Sequence, residues 1–140
     1  MEAFYHSRGV EIEQVWNQDT NDFEKSVKKA LSIGCNKIFC FGTFGDRMDH
    51  TLSSMHHATK LCTEHEKLQI VLFGQTNLMY YLRPNVKYEI RISHRLNKMC
   101  CGLIPFGEAE NVYTRGFKWN LGPQHMYQSL KWGEFISTSN

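Results

Sequence analysis

The spacing of apolar side chains in residues 17–34 predicts a helix. Apolar positions recur three and four residues apart there, as on one face of a 3.6-residue helix. Asn21 and Glu24 have the spacing of a capping pair, and Gly34 marks the end of the pattern. The apolar stripe consists of Phe23, Val27, Ala30 and Leu31.

Two continuous apolar runs, 37–42 and 69–74, predict strands of the kind that a parallel sheet buries on both faces. A second helical stripe lies between them, and the alternating segment 10–16 predicts a further strand before the first helix. The order strand, helix, strand, helix, strand is typical of an α/β layer. The second stripe consists of Met48, Leu52, Met55 and Cys62.

The pattern changes near Pro84, where helical stripes end and short strand-like segments begin. Gly, Pro and Asn separate these segments, which favours antiparallel strands joined by turns. The sequence therefore predicts a partial α/β domain over 1–83 and an antiparallel β domain over 84–140. The predicted strands of the second part are 86–92, 100–106, 111–119, 126–132 and 134–138.

Composition changes this interpretation little but excludes some classes of protein. The chain has 140 residues, 41% of them hydrophobic, and its net charge of +2 is too small to indicate a surface dedicated to nucleic acid or membrane. Its apolar runs are shorter than the roughly 20 residues of a membrane helix, and the first residues lack the pattern of a signal peptide. Five irregularly spaced cysteines indicate reduced thiols, so we expect a cytoplasmic protein.

Polar side chains cluster immediately before and within the start of the first predicted helix. Carboxylates at a strand end can hold Mg²⁺, which prefers oxygen ligands. Asp and Asn are also favoured at helix starts by capping and by the helix dipole. A Mg²⁺ site and an ordinary helix start therefore both stay open as interpretations. The side chains concerned are Gln18, Asp19, Asp22 and Lys25.

The turn after the strand 37–42 contains Gly42 and Gly45 and precedes a helix, a place where the backbone can approach phosphate. Arg47 could bind phosphate in a bidentate manner, and Asp49 could orient it or a metal-bound water. A structural Arg–Asp pair in a tight turn is the alternative. The histidines that follow lack the paired spacing of a zinc site, which favours helix-surface positions for them.

Trp119 lies between Lys118 and Asn120, and the chain closes with a polar run that includes Ser137 and Ser139. An aromatic face near hydroxyl groups suits a flat, cationic heteroaromatic ligand, held by stacking and cation–π attraction. The alternative is a core tryptophan in a β-sandwich followed by a polar turn.

Five stretches in the same order resemble thiamine pyrophosphokinases: "GVEIEQVWNQDTNDFEKSVKKAL", "GTFGDRMDHTLSS", "CGLIPFGE", "TRGFKWNL" and "STSN". The resemblance implies an enzyme that transfers diphosphate from ATP to thiamine and releases AMP, with Mg²⁺ as cofactor. It implies a Rossmann-like α/β part over 1–83 followed by a β-sandwich over 84–140. It further implies a homodimer whose sites are shared between subunits. From the composition we expect no nucleic-acid or membrane partner.

By matching position, the resemblance implies a role for each candidate residue. Asp22 and Asp49 would be the catalytic carboxylates, and Asp22 would also contact Mg²⁺. The ATP side would be formed by Gln18, Asp19, Lys25 and Arg47, and the thiamine side by Gln18, Asp22, Trp119, Ser137 and Ser139. The sequence does not separate a proton-accepting Asp22 from a metal-binding one.

This chain departs from the family pattern in several places. The family's Asp-Phe-Asp metal motif and its closing strands are absent, so we expect a partial chain with little activity by itself. Asp46 lies in a turn that usually carries more glycine and is expected to alter nucleotide affinity. Two alternatives stay open: a non-catalytic thiamine- or nucleotide-binding module, and a dimerisation partner of a full-length enzyme.

Overall fold

The computed structural model describes residues 2–45, 47–91, 101–122, 129–130 and 136–138. The chain divides into two compact units, Met1–Tyr80 and Tyr81–Asn140. The first unit contains α1 (Glu2–His6), α2 (Asp22–Ser32), β1 (Lys37–Phe41), α3 (Met48–Glu64), β2 (Gln69–Phe73) and β3 (Leu78–Tyr80). The second contains β4 (Cys101–Leu103), β5 (Ala109–Glu110), β6 (Ser129–Leu130) and β7 (Ile136–Thr138).

Helix α2 begins and ends where the sequence predicts. The Asn21 side chain accepts a hydrogen bond from the backbone N–H of Glu24 at 2.7 Å, which satisfies one of the unpaired donors of the first turn. At the other end Gly34 has a φ of +89°, the left-handed conformation that glycine adopts readily. The predicted helix and its N-cap are therefore confirmed.

The sheet of the first unit has the order β1-β2-β3. β1 and β2 are parallel, with Ile38 opposite Ile70 and Cys40 opposite Leu72, and α3 connects them as the crossover helix. The predicted parallel pair is thus confirmed. β3 adds an antiparallel strand through a short turn after β2, a pairing that the apolar runs did not indicate.

Helix α3 packs on one face of this sheet, helix α2 packs on α3, and the buried side chains of these elements form the core of the first unit. On the opposite face Phe39 and Phe41 of β1 are 52% and 76% exposed. The prediction that β1 is buried on both faces is therefore wrong for the described part of the chain, where helices cover one side. The core consists of Val27, Ala58, Leu61, Cys62, Leu68, Ile70 and Leu72.

The predicted strand at 10–16 is also wrong. This segment has no regular secondary structure, and all its residues are exposed. An alternating pattern produces a strand only where another strand supplies hydrogen bonds. Here the segment is instead joined to α2 by an ion pair between Glu13 and Lys29.

The second unit contains two short antiparallel ladders, β4 with β7 and β5 with β6. They confirm antiparallel pairing within three of the predicted segments, 100–106, 126–132 and 134–138. Residues 86–91 and 111–119 are irregular, so the strands predicted there are wrong over those described residues. The Rossmann-like and β-sandwich assignments stay predictions.

Candidate functional site

An open cleft with a volume of about 450 Å³ lies where β1 ends and α3 begins. It is bounded by the first turn of α2, by the turn that follows β1, and by the first two turns of α3. Backbone amides of a glycine-containing turn and a helix N-terminus thus border the same space, which favours an anionic ligand. Residues along its wall include Phe23, Gly42, Thr43, Arg47, His50 and Ser54.

The turn after β1 is anchored to the end of β2. Gly42, at a φ of +73°, donates its backbone N–H to the carbonyl of Phe73 at 3.2 Å. The ring of Phe44 packs so closely on Gly74 that a Cβ atom there would lie 2.7 Å from the nearest ring carbon. The absence of a side chain at position 74 therefore allows Phe44 to hold this wall of the cleft in place, a role that the sequence analysis did not assign.

Arg47 and Asp49 form a pair through two guanidinium nitrogens, with Nε 3.1 Å from Asp49 Oδ1. The hydrogen bond from Arg47 lowers the pKa of Asp49, and the same bond raises the pKa of Arg47, so both groups are charged at neutral pH. Both side chains are about two-thirds exposed. A phosphate that binds Arg47 must therefore compete with Asp49 or share the guanidinium with it.

Asp22 lies in the first turn of α2 with a fully exposed side chain, 3.5 Å from Lys25 Nζ. Gln18 and Asp19 lie in the exposed turn before it, where the Asp19 N–H donates to Asn17 Oδ1 at 2.7 Å. This is the geometry of an ordinary helix start.

The described carboxylates do not converge into a complete Mg²⁺ site. Within the part of the chain that the structure describes, no three Asp, Glu, His or Cys side chains converge in a way that could hold a metal ion. Asp22 and Asp49 are engaged with Lys25 and Arg47 respectively. Metal binding by Asp22 stays a prediction.

His57 takes part in a polar network between α2 and α3. Its Nδ1 lies 2.7 Å from the backbone carbonyl of Ser53, and its Nε2 lies 3.6 Å from the carboxylate of Glu24. Glu24 is buried, and its other oxygen accepts from Lys28 Nζ at 2.7 Å. That hydrogen bond lowers the pKa of Glu24. The sequence predicted Glu24 as part of a capping pair, and its contact with α3 was not predicted.

Trp119 lies on a loop of the second unit, and hydrogen bonds within this loop stabilise its backbone. Thr114 Oγ1 accepts the backbone N–H of Leu121 at 2.7 Å, and the Asn120 side chain bonds to both the N–H and the carbonyl of Phe117. The indole is 57% exposed, and Lys118 Nζ lies 4.6 Å from a ring centroid. Trp119 is thus a surface group rather than a core residue, and its ring already accommodates a cation.

The remaining candidate residues lie near the end of the chain or in the turn after β1. Ser137 is in β7, opposite Gly102 of β4. Ser139 and Asp46 lie outside the described residues. Among the helices of the described segments, none has the length and apolar character needed to cross a membrane.

Comparison with known families assigns both units. The family described as thiamin pyrophosphokinase, catalytic domain, matches residues 1–72, and the family described as thiamin pyrophosphokinase, vitamin B1 binding domain, matches residues 87–140. A search of curated proteins gave no significant match. The first match contains the cleft and the Asp22 helix, and the second contains the Trp119 loop. Since these matches cover most of the chain in the expected order, the protein belongs to the thiamin pyrophosphokinase family of enzymes.

Proposed function

We propose that the chain binds thiamine and ATP and transfers a diphosphate group from ATP to thiamine. In this reaction the hydroxyethyl oxygen of thiamine bonds to the β-phosphorus of ATP. The bond between that phosphorus and the oxygen bridging to the α-phosphorus breaks, AMP leaves, and the hydroxyl proton passes to a base. The exposed indole of Trp119, which already contacts the Lys118 cation, carries this proposal because the thiazolium ring of thiamine is also a flat cation.

The thiamine side of the proposal rests on the loop that displays the indole. Thiazolium stacked on indole gains ~0.5 to 2 kcal/mol from cation–π attraction. The two hydrogen bonds between Asn120 and Phe117 restrict the loop, so less conformational entropy is lost on binding. Ser137 and Ser139 complete this side as hydrogen-bonding partners of the ligand.

The nucleotide side of the proposal rests on the cleft. Phosphates of ATP would meet the backbone of Gly42 and Gly45, with Arg47 as the fork that binds them and Asp49 as the group that orients Arg47. Gln18, Asp19 and Lys25, around the start of α2, would contact the phosphates from the other wall. Asp22 would accept the thiamine hydroxyl proton.

Mg²⁺ enters the proposal as the ion that neutralises the triphosphate. The described carboxylates do not make a complete site for it, so we assign no step to the ion. For the same reason we expect slow turnover by this chain, because the transferred group carries charge that Arg47 and Lys25 alone neutralise poorly. The proposal includes a homodimer with shared sites and a reducing, cytoplasmic location for the cysteine-containing chain.

Thiamine binding is tested by calorimetric titration of the intact chain and its tryptophan variants. We expect W119A to weaken thiamine binding about tenfold or more, and W119F to retain part of the affinity because a phenyl ring still offers a π face. W16A is the matched control, since Trp16 is an exposed tryptophan of the first unit. Equal affinities for W119A and W16A would contradict the thiamine side.

Catalysis is tested by measuring AMP released from ATP with Mg²⁺ and thiamine. AMP formation that requires thiamine and is lost in D22A supports the transferase. The dispersed carboxylates favour one other candidate function, a thiamine-binding module without chemistry. Thiamine binding with AMP release no faster than without the vitamin would favour that module.

Subunit sharing is tested by mixing D22A and W119A chains. Where each site combines two subunits, a mixed dimer contains one intact site, and about a quarter of wild-type turnover returns after exchange. No recovery from fully exchanged chains would contradict shared sites.

A further inference from the structure

Glu24 is the buried charged side chain of the described residues, with 6% of its surface exposed. Burial of a carboxylate is unfavourable unless charged or hydrogen-bonding partners compensate for the lost water. Lys28 supplies one partner from the same helix, at 2.7 Å. The second oxygen faces α3, where His57 Nε2 lies 3.6 Å away and Lys60 adds a further positive charge.

A second polar contact joins the same two helices one turn earlier. The amide nitrogen of Asn21 lies 3.0 Å from Ser53 Oγ, while the amide oxygen caps α2. A carbonyl only accepts hydrogen bonds, so the 2.7 Å contact between His57 Nδ1 and the Ser53 carbonyl assigns the proton to Nδ1. Nδ1 is then no acceptor for the Asn21 amide nitrogen, whose nearest acceptor is Ser53 Oγ at 3.0 Å, with His57 Nε2 farther away at 3.4 Å.

These contacts lie next to cleft-lining residues along the chain. Asn21 precedes Asp22 and Phe23, and Phe23 lines the cleft from α2. Ser53 precedes Ser54, which lines the cleft from α3. The two bonded residues are thus chain neighbours of groups on opposite walls.

We propose that Asn21 and Glu24 are positioning residues that hold the start of α2 at a fixed distance from α3 and so set the width of the nucleotide cleft. Apolar side chains would pack the helices together without defining their rotation or axial register. A hydrogen bond to one serine and a 3.6 Å contact between a carboxylate and one histidine permit few alternative arrangements. The proposal has a functional part, that the cleft binds ATP, which rests on the proposed function. Its geometric part, that the two residues fix the spacing of α2 and α3, does not.

The geometric part is tested in the intact chain by measuring distances between spin labels attached at Lys29 on α2 and His56 on α3, both exposed positions. N21S keeps a capping hydroxyl but is too short to reach Ser53, and E24Q keeps the shape of the side chain without its charge. We expect both variants to broaden the distance distribution. S26A is the matched control, because the Ser26 hydroxyl bonds to the Asp22 carbonyl on the exposed side of α2. Distributions as narrow as that of S26A would overturn the proposal.

The functional part is tested by ATP titration at a temperature where circular dichroism shows every variant to be folded. We expect N21S, S53A and E24Q each to weaken ATP binding about tenfold, and N21S/S53A to be no weaker than either single variant because both remove one contact. Thiamine affinity should fall much less than ATP affinity, because Trp119 of the second unit supplies most of it in the proposed function, whereas a general loss of folding would lower both.

The outcomes separate the two proposals. ATP affinity unchanged in N21S and E24Q would overturn the positioning role while leaving the proposed function intact. A wild-type chain that binds no ATP would contradict the nucleotide side of the proposed function, and the spin-label distances would then decide the positioning role by themselves.

Discussion

The described parts of the two units are stabilised in different ways. In Met1–Tyr80, helix α3 packs on a three-stranded sheet and helix α2 packs on α3, and together they bury an apolar core. In the described residues of Tyr81–Asn140, Leu121 is the large apolar side chain that is buried, and short ladders and side-chain hydrogen bonds define the backbone. Over the described residues, packing thus stabilises the first unit, whereas short ladders and a few polar contacts around an exposed indole define the second.

The largest effect should come from opening the core of the first unit. Leu61 on α3 is completely buried, so L61A should lower the free energy of unfolding by about 2 to 5 kcal/mol through lost burial and a residual cavity. L52A, on the same helix but 49% exposed, is the matched control and should cost about 1 kcal/mol or less. Urea unfolding followed by circular dichroism measures both. Similar losses for the two variants would show that α3 is not packed as described.

A somewhat smaller effect should follow from filling the space beside Phe44. G74A places a methyl group where the ring lies, and overpacking of this kind costs about 1 to 3 kcal/mol. The turn carrying Gly42 and Gly45 should move with Phe44, so ATP affinity should fall as well. In G74A/F44A the ring is removed, so the added methyl group no longer meets it. The double variant should therefore lose less free energy of unfolding than the two single variants lose in sum. Strictly additive losses would contradict the contact.

In the second unit, loss of a polar contact should affect binding more than folding. N120A removes both bonds to Phe117 and should loosen the loop that displays Trp119. We expect thiamine affinity to fall about three- to tenfold by calorimetry, while unfolding of the first unit stays unchanged. N77A, an exposed asparagine of the first unit, is the control. Thiamine affinity at the wild-type value in N120A would mean that the loop needs no restraint.

The smallest effect should be a pH dependence of the first unit's stability. The bond from Lys28 lowers the pKa of Glu24 in the folded chain. As pH falls, Glu24 therefore takes up a proton in the unfolded chain before it does so in the folded chain. The stability that the charged Glu24 contributes is fully present above its unfolded pKa and is lost as pH falls through its folded pKa. E24Q lacks this contribution. The stability difference between wild type and E24Q should therefore shrink between about pH 6 and about pH 3, measured by urea unfolding. A difference that grows on acidification would reverse the sign and contradict the pairing.

Local pattern was sufficient where local contacts decide structure. Asn21, the apolar stripe that includes Val27, and Gly34 predicted α2 with its cap, because all of those signals lie within one helix. The pattern at 10–16 was insufficient, because a strand requires a partner and none is paired with it in the structure. The same reason explains why the strand predicted over residues 86–91 does not form. Their apolar residues alternate, but the backbone there is exposed and irregular.

The candidate site shows the same division. The sequence left two interpretations for Arg47 and Asp49, phosphate-binding groups or a structural pair. In the structure the two side chains are hydrogen-bonded to each other. Glu24 and His57 are distant in sequence, and the capping interpretation of Glu24 gave no reason to look for a partner on α3. One signal was present, since Glu24 lies three positions before buried Val27 and hence on the apolar face of the helix.

By itself the sequence determined helices α2 and α3, the parallel pair of strands, the change to antiparallel structure, and the ordered stretches that resemble one family of enzymes. These depend on periodicity and on short motifs, which are local properties of the chain. The tertiary structure alone decided that Trp119 is exposed beneath a lysine, that Phe44 rests on Gly74, and that a buried carboxylate joins α2 to α3. Each of these depends on which side chains meet in space, and the spacing of residues along the chain does not specify such meetings.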